Sequence, residues 1–187
     1  MLASLITMLG IGLFASGAPR AEVVPCPSAD TNSAEMTIPD FDFSVFCLIN
    51  QQRVENHLRP LRPNRLLHDA ADIYATSQLS GDFFGHYGCL NGKNNCATPI
   101  GRLRFLGYIR KGWAWIVGET LQGSHADEAT PDLVVNAWMT SPEHRTMLLK
   151  PKFRDLGVAS VRGVADDFPS TDGVTVAAEF GFRKKRR

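Results

Sequence analysis

Two histidines and a glutamate stand where side-chain chemistry could be done: His86, Glu119 and His144. Each of the two imidazoles sits where a turn follows apolar residues. His86 closes GDFFGH, where Phe83 and Phe84 are expected to point into a core and hold the ring close to it. His144 lies in WMTSPEHRTMLL, where Ser141 fits a helix N-cap, Pro142 the first helical position and Glu143 the helix dipole. Its place on a first turn is therefore defined, and Arg145 beside it is expected to pair with an acidic neighbour. Glu119 follows WAWIV at the end of an apolar strand, and a carboxylate buried there needs a partner. Two imidazoles and a carboxylate can bind a divalent metal such as zinc, with a position left for water. They can equally form a hydrogen-bonded knot in which Glu119 accepts from both rings. His57 and His68, on or near helices among charged neighbours, need no special role, and His125 falls in a polar loop.

Nucleophilic catalysis finds less support. No serine or cysteine stands beside a histidine in a recognisable nucleophile motif, and no His-Glu-x-x-His run occurs.

The elements that must position these groups can be traced along the chain. Residues 19–39 carry Pro, Ser, Thr and Asp without periodicity and form a leader strap. Asp40 or Asp42 can cap a first helix from Phe43 to about His57, and RPLRPNR, with two prolines, is a loop. A second helix buries Leu67, Ala70, Ala71, Tyr74 and Ala75 along one stripe and ends near Gly81. Thr98-Pro99 starts a short helix, WAWIVGETL is a strand, and Thr130-Pro131 opens a helix with Leu133, Val134, Ala137 and Trp138 on its buried face. DLGVASVRG and GVTVAAEFGF form an antiparallel hairpin joined by ADDFPSTD. Val174, Val176, Ala178, Phe180 and Phe182 lie on its one core-facing side. Helices before, between and beside a few strands give a layered α/β arrangement.

Composition sets the outer bounds. The chain has 187 residues, 44% hydrophobic and 21% charged, enough for one domain with a sizeable core. The formal charge of +1 hides an asymmetry. RKKRR at 183–187 holds five of the 20 basic residues, and the other 15 face 19 acidic ones, leaving the body near −4. That run reads as a solvated, frayed terminus, since no basic patch elsewhere supports a nucleic-acid face. Leu2 to Phe14 is an apolar run too short to span a bilayer and suited to a secretory signal ending near residue 18, with cleavage after Gly17 or Ala18. Four cysteines agree with an oxidising compartment. Cys89 and Cys96 bracket LNGKNN and suit a local bridge, leaving Cys26 to tie the strap to Cys47. Zinc fingers would need a Cys-x-x-Cys spacing that is absent.

These residues also resemble a known family. The span from Phe43 to Phe182 is similar to the CAP superfamily of cysteine-rich secretory, antigen 5 and pathogenesis-related proteins, and most to its bacterial SCP-like branch. The likeness is carried by LINQQRVENHLRPLRPNRLL, the Ala-Ala helix, FFGH, a Gly-Arg-Leu segment with Leu-Gly-Tyr, GET, W-M-x-S-P-x-H-R and LGVA. It implies an α/β (α+β) three-layer α-β-α sandwich with a small, mainly antiparallel central sheet, formed by residues 40–182 and bearing a surface cleft. The cleft histidines map onto His86 and His144 and the cleft glutamate onto Glu119. Thr120 replaces the usual Asn, and Glu143 and Glu179 are the candidates for a second acidic residue. The implied function is that of a secreted module, extracellular or in the cell envelope, binding a metal, a lipid or an envelope component. No nucleic-acid partner or stable membrane span is expected, and the chain is read as a monomer. A metal-dependent hydrolase using Glu119 and the two histidines is the alternative, and a purely structural role for the three residues is the third reading.

Overall fold

The structure, a computed structural model, describes residues 25–81, 83–87, 98–165 and 170–186. The expected signal segment and the Cys89–Cys96 bridge lie outside those residues. The described elements are helices α1 (Ile38–Glu55), α2 (Arg65–Gly81), α3 (Pro99–Phe105), α4 (Pro131–Thr140) and α5 (Pro142–Leu148), and strands β1 (Arg62–Pro63), β2 (Trp113–His125), β3 (Asp155–Val164) and β4 (Ser170–Lys185). The four strands form one sheet in the order β1-β3-β4-β2, parallel between β1 and β3 and antiparallel elsewhere.

Helix starts follow side-chain chemistry. Thr98 and Thr130 cap α3 and α4 with a proline next in line, as expected. The first helix begins earlier than expected, at Ile38. Thr37 is its cap: its hydroxyl accepts from Asp40 N at 3.2 Å and donates to the Asp40 carboxylate at 2.6 Å. Asp40 is thus the third residue of a capping pair, and Asp42 faces β3 instead, where Ser160 donates to it at 2.6 Å. Within RPLRPNR, expected to be a loop, Arg62 and Pro63 pair with Asp155 and Leu156 as a two-residue edge strand. Pro63 is tolerated because an edge strand spares it the missing ladder donor.

Both faces of the sheet are covered. On one side Phe41, Val45 and Ile49 of α1, Val134, Val135 and Trp138 of α4 and Leu148 of α5 pack on Leu156, Val158, Val174, Val176, Ala178 and Phe180. On the other, the expected stripe of α2 is fully buried, against Leu121, Ala159 and Ala177 and, through α3, Leu103 and Tyr108. The β3–β4 hairpin therefore buries both of its faces rather than one, and Thr175, Ala177 and Glu179 are as enclosed as the valines between them. The buried face of α4 is set by Val134, Val135 and Trp138, whereas Leu133 is exposed and Ala137 half-buried. Trp138 completes its burial with an indole N–H donated to Leu121 O at 2.9 Å.

The strap is tied down. Cys26 is bonded to Cys47 of α1, and strap backbone groups pair with the start of α4: Ser33 N with Ala129 O, and Ala29 O with Asp132 N. The basic run does not fray at its start, since Arg183 to Lys185 continue β4 opposite Trp113 to Trp115.

Candidate functional site

Register places two carboxylates opposite one another. Glu119 pairs with Glu179 across β2 and β4, and cross-strand partners share a face, here the one that α2 and α3 cover. Glu119 stands in the middle of β2 rather than at the strand's end, because β2 runs on to His125. His125 itself ends that strand and leads into a 3-10 turn at Ala126–Glu128, instead of lying in a loop. Glu119 is 6% exposed and Glu179 fully buried, so neither charge is relieved by water.

A cation from α3 lies between them. Arg102 contacts Glu119 Oε2 and donates to Glu179 Oε1 at 3.2 Å, with its guanidinium over the Tyr74 ring at 3.4 Å. Two carboxyls facing one guanidinium cannot both ionise cheaply. Burial pushes Glu119 up, offset in part by Arg102. Burial and then the neighbouring Glu119 push Glu179 well up. Of the two, Glu179 is pushed the more strongly toward its protonated form. Sequence reasoning missed Arg102. The available signal was the pair of carboxylates on apolar strands, which together demand a buried cation.

His86 reaches the trio from the loop after α2. Gln78 of that helix accepts from Gly85 N at 3.1 Å, and the Tyr74 hydroxyl donates to Gly85 O. Phe83 packs by Tyr74 as expected, with ring centroids 6.2 Å apart, but Phe84 is exposed rather than buried. So held, His86 Nδ1 lies 2.8 Å from Glu119 Oε1. Burial, and then Arg102, push its pKa down, so the ring is neutral. A neutral ring that donates Nδ1–H to a carboxylate keeps its lone pair on Nε2. The side chain is 43% exposed, so the ring is open to solvent in part.

His144 arrives from the opposite helical layer. β2 is the outer strand of the sheet, so groups from both layers can meet at its edge. Gly118, one residue before Glu119, makes the approach possible: a Cβ there would sit 2.1 Å from Met147 Sδ. Met147 is one turn after His144, and α5 thereby rests on β2 beside the carboxylate. His144 is half-buried, with its pKa pushed down by burial and then by the proximity of His86. Hence the two imidazoles, both held toward their neutral forms, lie near enough to influence one another, and Glu119 accepts from His86 and Arg102 rather than from both histidines. Ser141 occupies the N-cap of α5 without a side-chain cap bond, and its carbonyl accepts from Arg145 N at 2.8 Å. Arg145 is exposed and makes no ion pair with a described residue, so its expected acidic partner is not found.

Three further residues shape the site. Glu143 lies near enough to both histidines to favour their charged forms, a smaller influence than burial. Thr120, where the resemblance would place Asn, is fully buried with no hydrogen-bond partner for its hydroxyl among the described residues. Arg53 is fully buried and holds the far end of α5, donating to Leu148 O at 2.6 Å and Lys150 O at 3.2 Å. Among the described residues no three His, Cys, Asp or Glu side chains are arranged to hold a metal ion. Both Glu119 oxygens are engaged by His86 and Arg102, so a metal held here would have to be held by the imidazoles.

Comparison with known proteins agrees with this architecture. Residues 46–178 match the family model described as CAP, the cysteine-rich secretory protein family. The uncharacterised protein YkwD of Bacillus subtilis is 28% identical over 131 residues, covering 70% of this chain and 46% of that protein. The chain thus spans about half the length of the curated relative it matches. An outer surface protein of Borrelia burgdorferi superposes with a TM-score of 0.61 at 20% identity, over 80% of this chain and 97% of that one. An extracellular SCP-domain protein from Bacillus anthracis does so at 0.56 and 19% identity, over 78% of this chain and 43% of that one. At such identities the structural likeness establishes the fold alone.

Proposed function

The chain belongs to the CAP family of cysteine-rich secretory proteins, and from that premise we propose that it is an exported, non-enzymatic binding module whose cleft holds a divalent metal such as zinc through His86 and His144. The observation that carries this reading is the bond from His86 Nδ1 to Glu119 Oε1. A carboxylate behind an imidazole fixes the tautomer, turns the Nε2 lone pair outward and raises its basicity, as second-shell carboxylates do for metal-bound histidines. Burial keeps both rings neutral, which is the form that ligates. Two protein ligands leave the other positions to water or to an envelope component bearing oxygen donors, and such a component is the partner proposed.

Hydrolysis is the less supported reading. With Glu119 as the general base it lacks a free carboxylate, since Glu119 is engaged at both oxygens by Arg102 and His86. Export rests on the apolar run at Leu2–Phe14 and on the Cys26–Cys47 bridge, which suits an oxidising compartment. Two similar proteins are described as outer-surface and extracellular. Among the described residues no helix is long and apolar enough to cross a membrane.

Calorimetric titration with zinc tests the reading. One zinc per chain is expected, with affinity reduced about tenfold or more in His144→Ala and in Glu119→Gln, and lost in the His86→Ala, Glu119→Ala double variant. Zinc uptake by the wild type no greater than that of the double variant would overturn it.

A further inference from the structure

Folding brings two basic segments together that are far apart in the sequence. β2 and β4 pair with Trp113 opposite Lys185 and Trp115 opposite Arg183, and Arg186 N donates to Gly112 O at 3.2 Å beyond them. The end of β4 therefore lies against the chain that carries Arg104, Arg110 and Lys111. Neither 99–118 nor 180–186 contains an aspartate or glutamate, so these segments supply no compensating charge. A cavity of about 440 Å³ opens between them, lined by Arg104, Arg110, Lys111 and Arg186 with Trp113 and Trp115.

The floor of this face is built from packed groups. The Arg183 guanidinium lies over Tyr108 at 4.5 Å and Trp113 at 5.7 Å, and it donates to Gly107 O and Tyr108 O at 3.1 and 3.0 Å. Arg110 also lies over Trp113, 5.6 Å from the ring centroid, and its Nε donates to Gly107 O at 3.0 Å. Beside Arg104, Phe105 is 88% exposed, the most exposed large apolar side chain among the described residues. Ile100, five residues earlier on α3, is also exposed.

Two attractions coincide here. Arginines and lysines draw anionic groups, and an exposed phenylalanine with half-exposed tryptophans gains by leaving water at an interface. A soluble polyanion would satisfy the cations and leave Phe105 in water. An anionic bilayer surface offers phosphates to the cations and an acyl boundary to the ring. We propose that this face docks on the surface of an anionic phospholipid bilayer, with lipid phosphates entering the cavity and Phe105 inserting beside them. The face is separate from the cleft. Trp115, the lining residue nearest to it along β2, lies four residues from Glu119, about 13 Å at the rise of a strand.

The test is co-sedimentation of the full chain with vesicles of phosphatidylcholine alone or with about one third phosphatidylglycerol, at low and high salt. Neutral vesicles report any contribution of the apolar N-terminal run. Binding to the anionic vesicles is expected to exceed that background by about tenfold or more and to fall as salt is raised. The double variant Arg104→Glu, Lys111→Glu, which alters exposed side chains of the cavity lining, is expected to lose about tenfold or more of it at an unchanged melting temperature. Phe105→Ser should weaken vesicle binding about fivefold while leaving binding to soluble polyphosphate unchanged. Equal binding to neutral and anionic vesicles overturns the proposal, as does a charge-reversed variant that binds like the wild type. Indifference of vesicle binding to Phe105→Ser would assign the face to a soluble polyanion and overturn it too.

Discussion

Each residue of the cleft has its role set by what lies behind it. Glu119 orients His86 while Arg102 holds its other oxygen, and Glu179, pushed toward its protonated form, shares that guanidinium. Removing the cation while keeping the volume, in Arg102→Met, leaves two buried carboxyls uncompensated. A loss of about 3–5 kcal/mol at pH 7 is expected from urea unfolding. Its pH dependence has a definite sign. Without Arg102 both carboxyls titrate still further above their ordinary value, so the folded state binds more protons than the unfolded state and gains stability as the pH falls. The deficit should therefore shrink between pH 7 and pH 4, and a deficit that is the same at both would mean that the trio is not an ion cluster. His86, Glu119 and His144 were legible in the sequence as residues at turns and on an apolar strand, and as matches to family motifs. Arg102 was not. Its need arises only when strands some sixty positions apart set Glu119 opposite Glu179, and no local periodicity records that pairing.

Among the elements, the helices were legible where a threonine and a proline mark the start, as at α3 and α4. The beginning of α1 was obscured because its Thr37 and Pro39 sit inside a Pro- and Ser-rich strap. Other signals that resemble site motifs turn out to hold elements in place. Asn50 and Leu61 exchange two bonds, at 2.6 and 3.1 Å, and Arg53 caps α5. Gly157 lets α2 lie directly on β3, since a Cβ would stand 2.0 Å from His68 N. The contact of α1 with β3 carries its own titration. Asp42 accepts from Ser160 near His68 and Asp72, and burial pushes its pKa to about 7. A carboxyl raised in the folded state holds a proton there that the unfolded chain has released, so stability falls as the pH rises from about 4 to about 7. Asp42→Asn keeps the acceptor and cannot ionise. It should match the wild type near pH 4 and exceed it by roughly 2–4 kcal/mol at pH 8, measured by urea unfolding. An equal difference at both pH values would show that Asp42 does not titrate between them.

At the scale of the whole molecule, the sandwich brings together groups that neither layer could assemble alone. His86 comes from the α2 side and His144 from the α5 side, each near the outer strand β2. The Cys26–Cys47 bridge, closing a separation of 21 residues, limits the unfolded chain by about 3 kcal/mol and holds the strap against α1 and α4. The start of the basic run is ordered for a related reason: β4 is longer than its alternating core, and pairing with the tryptophans of β2 carries it on to Lys185. The central claim is that the cleft presents two neutral imidazoles, with Glu119 fixing the tautomer of one. Nitrogen-resolved NMR of the histidine rings at pH 7, before and after zinc, examines it most directly. We predict both rings neutral, the His86 proton on Nδ1, and shifts of His86 Nε2 and the His144 ring when zinc is added. A charged ring, a His86 proton on Nε2, or rings that zinc leaves unchanged would contradict the account.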